Sequence, residues 1–369
     1  METTDRIALF LPSLNGGGAE RVMVNLAQGL AASGVSTDMV LARATGTFIR
    51  EVPSSVRIFD LQADHVRYSI RGLIHYLKQT RPKVLLSAMG HANLAALIAR
   101  RIARTETRVF VSIHASMSRT SWSEHPLKKR LYPFISNRFY PWADGIITVS
   151  KGAAKDLAEM AGIPLQSISV IYNPIVSAEL FDRAKEPVEH PWFRAGAPAV
   201  IMGMGRLVKQ KDFPTLIRAF AIVHQQSDAR LVILGEGSDR RELEALVARL
   251  GLKDVVSLPG FVENPFAYLA KSALFVLSSA WEGFGNVLVE AMALGVPIIS
   301  TSCPSGPDEI LEDGRYGDLV PVGDEQRMAT KILARLQQGV SNQEIALLKQ
   351  RSNCFTLSNI TQDYLRLMS

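Results

Sequence analysis

Glu282 and Glu290 stand in the run LFVLSSAWEGFGNVLVEAMALGVPII with seven residues between them. Leu274–Ser278 reads as a buried strand, Ser279–Gly285 as a loop, and the stretch from about Asn286 to Leu294 as a helix. Glu282 therefore lies in a loop beside Gly283 and Gly285, where backbone N–H groups are open. A carboxylate there accepts hydrogen bonds from sugar hydroxyls. Glu290 falls one turn inside the helix among apolar neighbours, where a carboxylate without a partner is costly. Its two oxygens match the two donors of a vicinal diol, such as a ribose offers. The N–H groups of Gly285–Val287 at the helix start suit a phosphate. The competing reading is structural: one capping acid, and one helix acid paired to a base.

Matching positive charge lies upstream. GMGRLVKQKDFPTLIRAFA ends a strand at Gly203 and Gly205, then carries Arg206, Lys209 and Lys211. A helix follows, with Asp212 as the expected N-cap and Pro214 in its first turn. Arg206 and Lys211 on such a strand-end loop can neutralise a diphosphate that gains charge as it leaves. Lys209 reads as solvated surface. Near the start, Asn15-Gly16-Gly17-Gly18-Ala19-Glu20 forms a turn between a strand and a helix, where glycines let amides approach an anion. It is not the dinucleotide fingerprint: the third glycine of G-x-G-x-x-G falls on Arg21, and no acid ends the second strand. Nor is it a Walker loop, since no Gly-Lys-Ser/Thr follows. A tight turn with no ligand is the alternative.

The elements that must hold these residues are legible in the hydropathy pattern. IALFLP (Ile7–Pro12) reads as a strand and Ala19–Ala32 as a helix; strand-like runs recur at VSTDMVLA, RIFDL, KVLLSA, VFVSIHA, GIITVS and ISVIYNP. Amphipathic stretches separate most of them. Strand–helix alternation with strands apolar on both faces means a parallel sheet covered by helices on both sides. The polar, proline-bearing stretch Ile175–Pro198 reads as an interdomain linker. A second series follows: AVIMGMG, LVILGEG, VVSLPGF, LFVLSS, VPIISTS and DLVPVG, then helices. Two doubly wound domains result, and a ligand is expected in the cleft facing their strand C-termini.

The motifs as a set, Asn-Gly-Gly-Gly-Ala-Glu, Gly-Arg-Leu-Val-x-x-Lys, E-G-F-G-N-V-L-V-E, SCPSGPDEIL and GDLVPVGD, resemble the family 4 retaining glycosyltransferases (glycosyl transferases group 1). The resemblance covers both halves, with the motifs in the expected order. It implies an α/β GT-B fold: two Rossmann-like doubly wound domains facing each other across a cleft. It implies an acceptor-binding domain over 1–185, a nucleotide-sugar-binding domain over 186–350, and a C-terminal helix over 351–369 packing back on the first. A nucleoside-diphosphate sugar would be held mainly by the second domain, with a UDP-sugar favoured, no metal, no cofactor, and retained anomeric configuration. By motif position, His114, Arg206, Lys211 and Glu282 are the expected catalytic residues. Glu282 would contact donor-sugar hydroxyls, Glu290 the ribose, and Arg206 with Lys211 the diphosphate. Gly16 and Gly17 would bring the N-terminal loop over the phosphates, and Phe284, Gly285, Asn286 and Val287 would line the sugar and phosphate site. Val262, in Gly260-Phe261-Val262, resembles the base-contacting edge, and Gly235 of LVILGEG joins the expected substrate-binding residues. Glu282 and Glu290 serve different parts of the donor, so the two-carboxylate glycosidase scheme is not assigned. Same-face attack by the acceptor, with the leaving phosphate taking its proton, is preferred.

Composition narrows the class. The chain has 369 residues, 47% hydrophobic and 21% charged, which is globular and long enough for two domains. Cys303 and Cys354 alone exclude a disulfide framework and fit a reducing compartment. The start has an acidic n-region and a short apolar run, neither signal peptide nor membrane span. The chain is expected in the cytoplasm, peripheral on the inner face of the plasma membrane where it meets a membrane. Residues 1–190 carry net charge +7 and 191–369 net −1; Val66–Arg138 holds 14 basic residues and two acids. There Trp122, Leu127, Tyr132, Phe134, Phe139, Tyr140 and Trp142 interleave with Lys128, Lys129, Arg130 and Arg138, as suits a segment lying on anionic lipid. The alternative is a solvated basic helix whose aromatics fill the core. No helix-turn-helix, RRM or zinc motif supports nucleic acid. The acceptor would be a glycan or lipid-linked glycan, as in surface polysaccharide assembly. His91 begins a helix at a strand end; His65, His75, His125, His190 and His224 show no metal-ligand spacing. Two other functions remain open: a non-catalytic nucleotide-sugar-binding subunit, and another GT-B enzyme such as an epimerase or a phosphorylase.

Overall fold

The computed structural model describes residues 4–119 and 126–369, with the backbone alone at Thr4 and over 126–132. The chain forms two compact units: Met1–Ile175 together with Leu357–Ser369, and Val176–Thr356.

The first unit runs β1 (Thr4–Leu11), α1 (Gly18–Ala32), β2 (Ser36–Leu41), β3 (Arg57–Asp60), α2 (Val66–Thr80), β4 (Pro82–Ala88), α3 (Gly90–Ala103), β5 (Arg108–Ile113), α4 (Pro126–Phe139), β6 (Gly145–Thr148), α5 (Lys151–Ala161) and β7 (Ile168–Val170). Its sheet has seven strands in the order β3-β2-β1-β4-β5-β6-β7, all pairs parallel. Residues of β1 alternate between two cores. Ala8 and Phe10 join Leu73 and Tyr76 of α2 and Ala96 of α3, while Leu9 and Leu11 join Met23 and Leu26 of α1. That two-sided burial is why the strands are apolar throughout rather than alternating. One carboxylate is buried in this sheet. Asp38 is held by Arg6 at 2.7 Å, Arg57 at 2.9 Å and the Tyr76 hydroxyl at 2.7 Å, partners enough to offset its desolvation.

The second unit runs α6 (Ala178–Ala184), β8 (Val200–Met204), α7 (Phe213–His224), β9 (Arg230–Leu234), α8 (Arg240–Arg249), β10 (Val256–Gly260), α9 (Pro265–Ala270), β11 (Leu274–Leu277), α10 (Asn286–Leu294), β12 (Ile298–Thr301), α11 (Pro307–Ile310), β13 (Asp318–Val320), α12 (Glu325–Gln338) and α13 (Asn342–Ser352). Its six strands are parallel in the order β10-β9-β8-β11-β12-β13. The last helix, α14 (Leu357–Met368), belongs to the first unit, where Ile360, Tyr364 and Met368 enter the core beside α1.

Two expectations need correction here. The stretch read as a linker is a fixed part of the second unit. Ser177 caps α6 by accepting from the Leu180 N–H at 3.2 Å, and Phe193 packs edge-on to Tyr268 at 5.2 Å. The aromatics of the basic segment also divide. Tyr140 is buried and Phe139 packs on Trp142 at 4.7 Å, whereas Phe134 is exposed. His125, Trp122 and the side chains of Leu127, Lys128, Lys129, Arg130 and Tyr132 lie outside the described residues. Among the described residues, no helix is long and apolar enough to cross a membrane.

Candidate functional site

In each sheet the strand order reverses direction once, between β1 and β4 and between β8 and β11. Loops leaving the C-terminal ends of such neighbours part to opposite faces and open a crevice. In the second unit these loops are the Gly205–Asp212 segment and the Ser278–Gly285 segment, the two that carry the predicted cations and Glu282.

They meet. The Lys211 ammonium lies 2.6 Å from Glu282 Oε1, and the Ser279 hydroxyl donates to the same oxygen at 2.6 Å. Glu282 is only 6% exposed. Bonds to main-chain carbonyls set the loop: Ser278 Oγ donates to the Lys211 carbonyl at 2.7 Å, the Ala280 N–H to the Gln210 carbonyl at 2.8 Å, and the Glu282 N–H to the Pro304 carbonyl at 3.2 Å. With both side-chain bonds on Oε1, Oε2 carries none among the described residues and is not sealed from solvent. Lysine and serine thus fix the carboxylate, and one oxygen stays available to accept from a ligand hydroxyl. Cys303 sits close by, buried; burial, and then the negative Glu282, push its thiol up to about 12. It is a neutral wall.

Arg206 is exposed on the same loop as Lys211, and its guanidinium makes no hydrogen bond or ion pair among the described residues. Asp212 opens α7 with φ of 42° and accepts from the Thr215 hydroxyl at 2.7 Å. Burial raises the pKa of Asp212. Gly235 at the end of β9 has φ of 137°, and a Cβ there would strike the Gly205 carbonyl. Its N–H donates to Gly260 at 2.8 Å, so it holds three strand ends in register. Gly285 caps α10 with φ of 103°, a conformation that favours glycine. Asn286 and Val287 are half-buried in the first turn of α10, and Glu290 is half-buried one turn on. Val262 is half-buried after β10, next to Phe261, which is 74% exposed. Phe284 turns inward, buried with its ring 5.7 Å from Phe355.

In the first unit, Gly16 is exposed in the turn after β1, and Gly17 is the N-cap of α1. The Gly17 N–H donates to the Glu20 carboxylate, so that amide serves the helix's own capping. His114 follows β5; its Nε2 is 3.0 Å from Ser112 Oγ, and burial lowers its pKa to about 4. His91 is exposed in the first turn of α3, and partial burial lowers its pKa. No three His, Cys, Asp or Glu side chains group to hold a metal ion among the described residues.

Two side chains that hydrogen-bond the expected site residues escaped the sequence reading, Ser279 beside Glu282 and Ser112 beside His114. Each had a local signal: a serine three residues before Glu282, and a serine two before His114 on the same strand face.

Two family models match the chain: Glycosyltransferase Family 4 over residues 16–179, and Glycosyl transferases group 1 over residues 198–338. The chain belongs to this family of glycosyltransferases, and its fold is GT-B. Among its curated relatives is the N-acetylgalactosamine-N,N'-diacetylbacillosaminyl-diphospho-undecaprenol 4-alpha-N-acetylgalactosaminyltransferase of Campylobacter jejuni, 29% identical, with 98% of each chain covered. Another is the lipopolysaccharide core biosynthesis glycosyltransferase LpsE of Rhizobium meliloti, 27% identical over 86% of this chain and 84% of that protein. Among solved structures, Anabaena HepE in complex with UDP superposes with a TM-score of 0.77 at 22% identity, covering 98% of this chain and 99% of that one.

Proposed function

We propose that the chain transfers a sugar from a nucleoside-diphosphate sugar, a UDP-sugar first among them, to a lipid-linked saccharide in surface polysaccharide or glycan assembly. One observation carries this reading: a buried Glu282 pinned through Oε1 by Lys211 and Ser279, with Oε2 free of hydrogen bonds, the lysine coming from the loop that also carries the exposed Arg206. The acceptor class is supported by the Campylobacter relative, whose name specifies a diphospho-undecaprenol acceptor.

Chemistry follows from charge. As the anomeric C–O bond breaks, positive charge grows on the sugar and negative charge on the diphosphate. Arg206, the two remaining N–H donors of Lys211 and the amides of Gly285–Val287 stabilise the departing phosphate, each well-placed donor worth roughly 10²–10³ in rate. Glu282 Oε2 holds a donor-sugar hydroxyl, Glu290 the ribose diol and Val262 the edge of the base. His114 is the active-site group of the first unit. The acceptor hydroxyl attacks from the face that the phosphate leaves; its oxygen bonds to the anomeric carbon, and its proton passes to the leaving phosphate oxygen. Configuration is retained. Two side-chain cations supply the positive charge, so no metal is required.

The test is transfer from UDP-, GDP- and ADP-sugars to an undecaprenyl-diphosphate-linked saccharide, with the product anomer read by NMR. Retained configuration, undiminished transfer in EDTA, and a loss of roughly 10²–10³ in Glu282→Ala are expected. Inverted product would overturn the same-face mechanism, and loss of transfer in EDTA would overturn metal independence. Unchanged transfer by Glu282→Ala would overturn the site.

A further inference from the structure

We infer that Gln210 is a positioning residue for Glu282, its side-chain amide holding the peptide that precedes the carboxylate. This rests on the reading of Glu282 as the group that grips the donor sugar. Gln210 is the second variable position of Gly-Arg-Leu-Val-x-x-Lys. It lies in the middle of a 3₁₀ turn, Lys209–Lys211, that leads into Asp212 and α7. Lys209 is exposed, while Gln210 and Lys211 are half-buried. These two reach the Glu282 loop in register. Gln210 Nε2 donates to the Trp281 carbonyl at 3.0 Å, and Lys211 Nζ lies 2.6 Å from Glu282 Oε1. Of a glutamine's two terminal atoms only the nitrogen can donate to a carbonyl, so the partner fixes the orientation of the amide.

What the bond completes gives it its meaning. Two peptide units of the Glu282 loop are held at both ends. In the first, the Ser279 carbonyl accepts from the Thr301 hydroxyl at 2.6 Å, and the Ala280 N–H donates to the Gln210 carbonyl at 2.8 Å. In the second, the Trp281 carbonyl accepts from Gln210 Nε2, and the Glu282 N–H donates to the Pro304 carbonyl at 3.2 Å. Gln210 serves the first unit through its main chain and the second through its side chain. A peptide unit is planar, so pinning both ends sets the rotations beside it and the direction in which the Glu282 side chain leaves the backbone. Lys211 and Ser279 hold only the far end of that side chain, at Oε1. With the near end loose, the carboxylate can swing about Oε1 and carry Oε2 with it. With both ends held, Oε2 keeps its place relative to the amides of Gly285–Val287. Those amides are assigned the phosphate and Oε2 the sugar hydroxyl, so their separation decides where the anomeric carbon sits. Gln210 therefore acts on the sugar half of the donor through Glu282, without touching the ligand.

Trp281–Glu282 is the one Trp-Glu peptide bond in the sequence. Protein labelled with ¹³C at the tryptophan carbonyl and ¹⁵N at glutamate therefore gives a single carbonyl–nitrogen correlation, from this peptide. Gln210→Met, which keeps the length of the side chain and removes its donor, should move the carbonyl signal upfield and speed hydrogen exchange of the Glu282 amide. Binding is then measured for the nucleotide sugar that the transfer screen selects and for its bare nucleoside diphosphate. Gln210→Met should weaken the nucleotide sugar about five- to tenfold, as for one neutral hydrogen bond, and leave the diphosphate unchanged. Gln210→Lys, which restores a donor of similar reach, should recover the preference for the sugar-bearing ligand; the ratio of the two affinities cancels its added charge. An unmoved correlation in Gln210→Met would overturn the bond. A moved correlation with both ligands weakened alike, or with neither weakened, would overturn the positioning role and leave Gln210 a brace of the fold. Should the screen select no nucleotide sugar, or Glu282→Ala bind it as wild type does, the reading of Glu282 fails instead, and the correlation still decides the bond.

Discussion

At the scale of single residues, the site is defined by what each polar group has already spent. Glu282 spends one oxygen on Lys211 and Ser279 and keeps the other. His114 spends one nitrogen on Ser112. Its burial carries a pH consequence with a definite sign. The folded-state pKa is lowered from 6.5 to about 4, so protons bind the unfolded chain more tightly. The stabilisation is fully present above pH 6.5 and is lost as pH falls from there towards 4. The ceiling is about 3 kcal/mol, and the partial solvation of the ring lowers it. The melting temperature of wild type should therefore fall relative to that of His114→Gln as the pH drops from 6.5 to about 4. Parallel curves from pH 7 to pH 4 would show that His114 is not held neutral by its burial. His91 and His190 are also depressed by burial, so only the difference between the two proteins is diagnostic.

At the scale of elements, the pattern of apolar runs was enough to find the strands of both sheets, because most of them are covered on two faces and leave a strong hydropathy signal, while edge strands such as β3 are largely exposed. The meeting of Lys211 with Glu282 was legible for the same reason: both follow strands, and strand ends on one sheet edge converge. Long-range side-chain packing was not legible. Nothing local to Phe284 says that its ring faces Phe355, and nothing local to Phe193 says that it rests on Tyr268. The Gly17 amide was assigned to a phosphate although Glu20, three residues on, had the spacing to claim it. The basic segment was read as one interfacial stretch; among the described residues, α2 gathers several of its exposed charges on one helix. That helix contains no acid, and Arg67, Tyr68, Arg71, His75 and Lys78 are exposed on it. Each basic residue near an anionic bilayer is worth about 1 kcal/mol. If α2 is the docking face, the protein should float with phosphatidylglycerol liposomes at low salt and be released by high salt. Arg67→Ser, Arg71→Ser and Lys78→Ser together should lower partitioning on the order of 100-fold. Wild type that stays at the bottom of the gradient at low salt would sink the membrane reading.

At the scale of the whole molecule, the first unit is built from two separated pieces of chain and the second from one. The second unit closes on itself: the Val176 N–H donates to the Phe355 carbonyl at 3.0 Å, and Val176 and Thr356 form a parallel bridge, so its entry and exit strands lie side by side. The first unit, by contrast, borrows α14. Tyr364 is fully buried, Ile360 and Met368 are 2% exposed, and Thr361 presses on Gly29 of α1, where a Cβ would collide with it. Arg108 of β5 adds bonds to the main-chain oxygens of Met368 at 3.0 Å and Ser369 at 2.6 Å. Deleting one large buried side chain costs about 2–5 kcal/mol, and domain stability is about 5–15 kcal/mol in all. Losing three together removes most or all of it. Residues 176–356 expressed alone should therefore melt cooperatively. Residues 1–175 alone should not, and should regain a cooperative transition when a peptide of residues 357–369 is added in excess, by binding only the folded form. A stable 1–175 fragment indifferent to the peptide would show that α14 covers a core already complete.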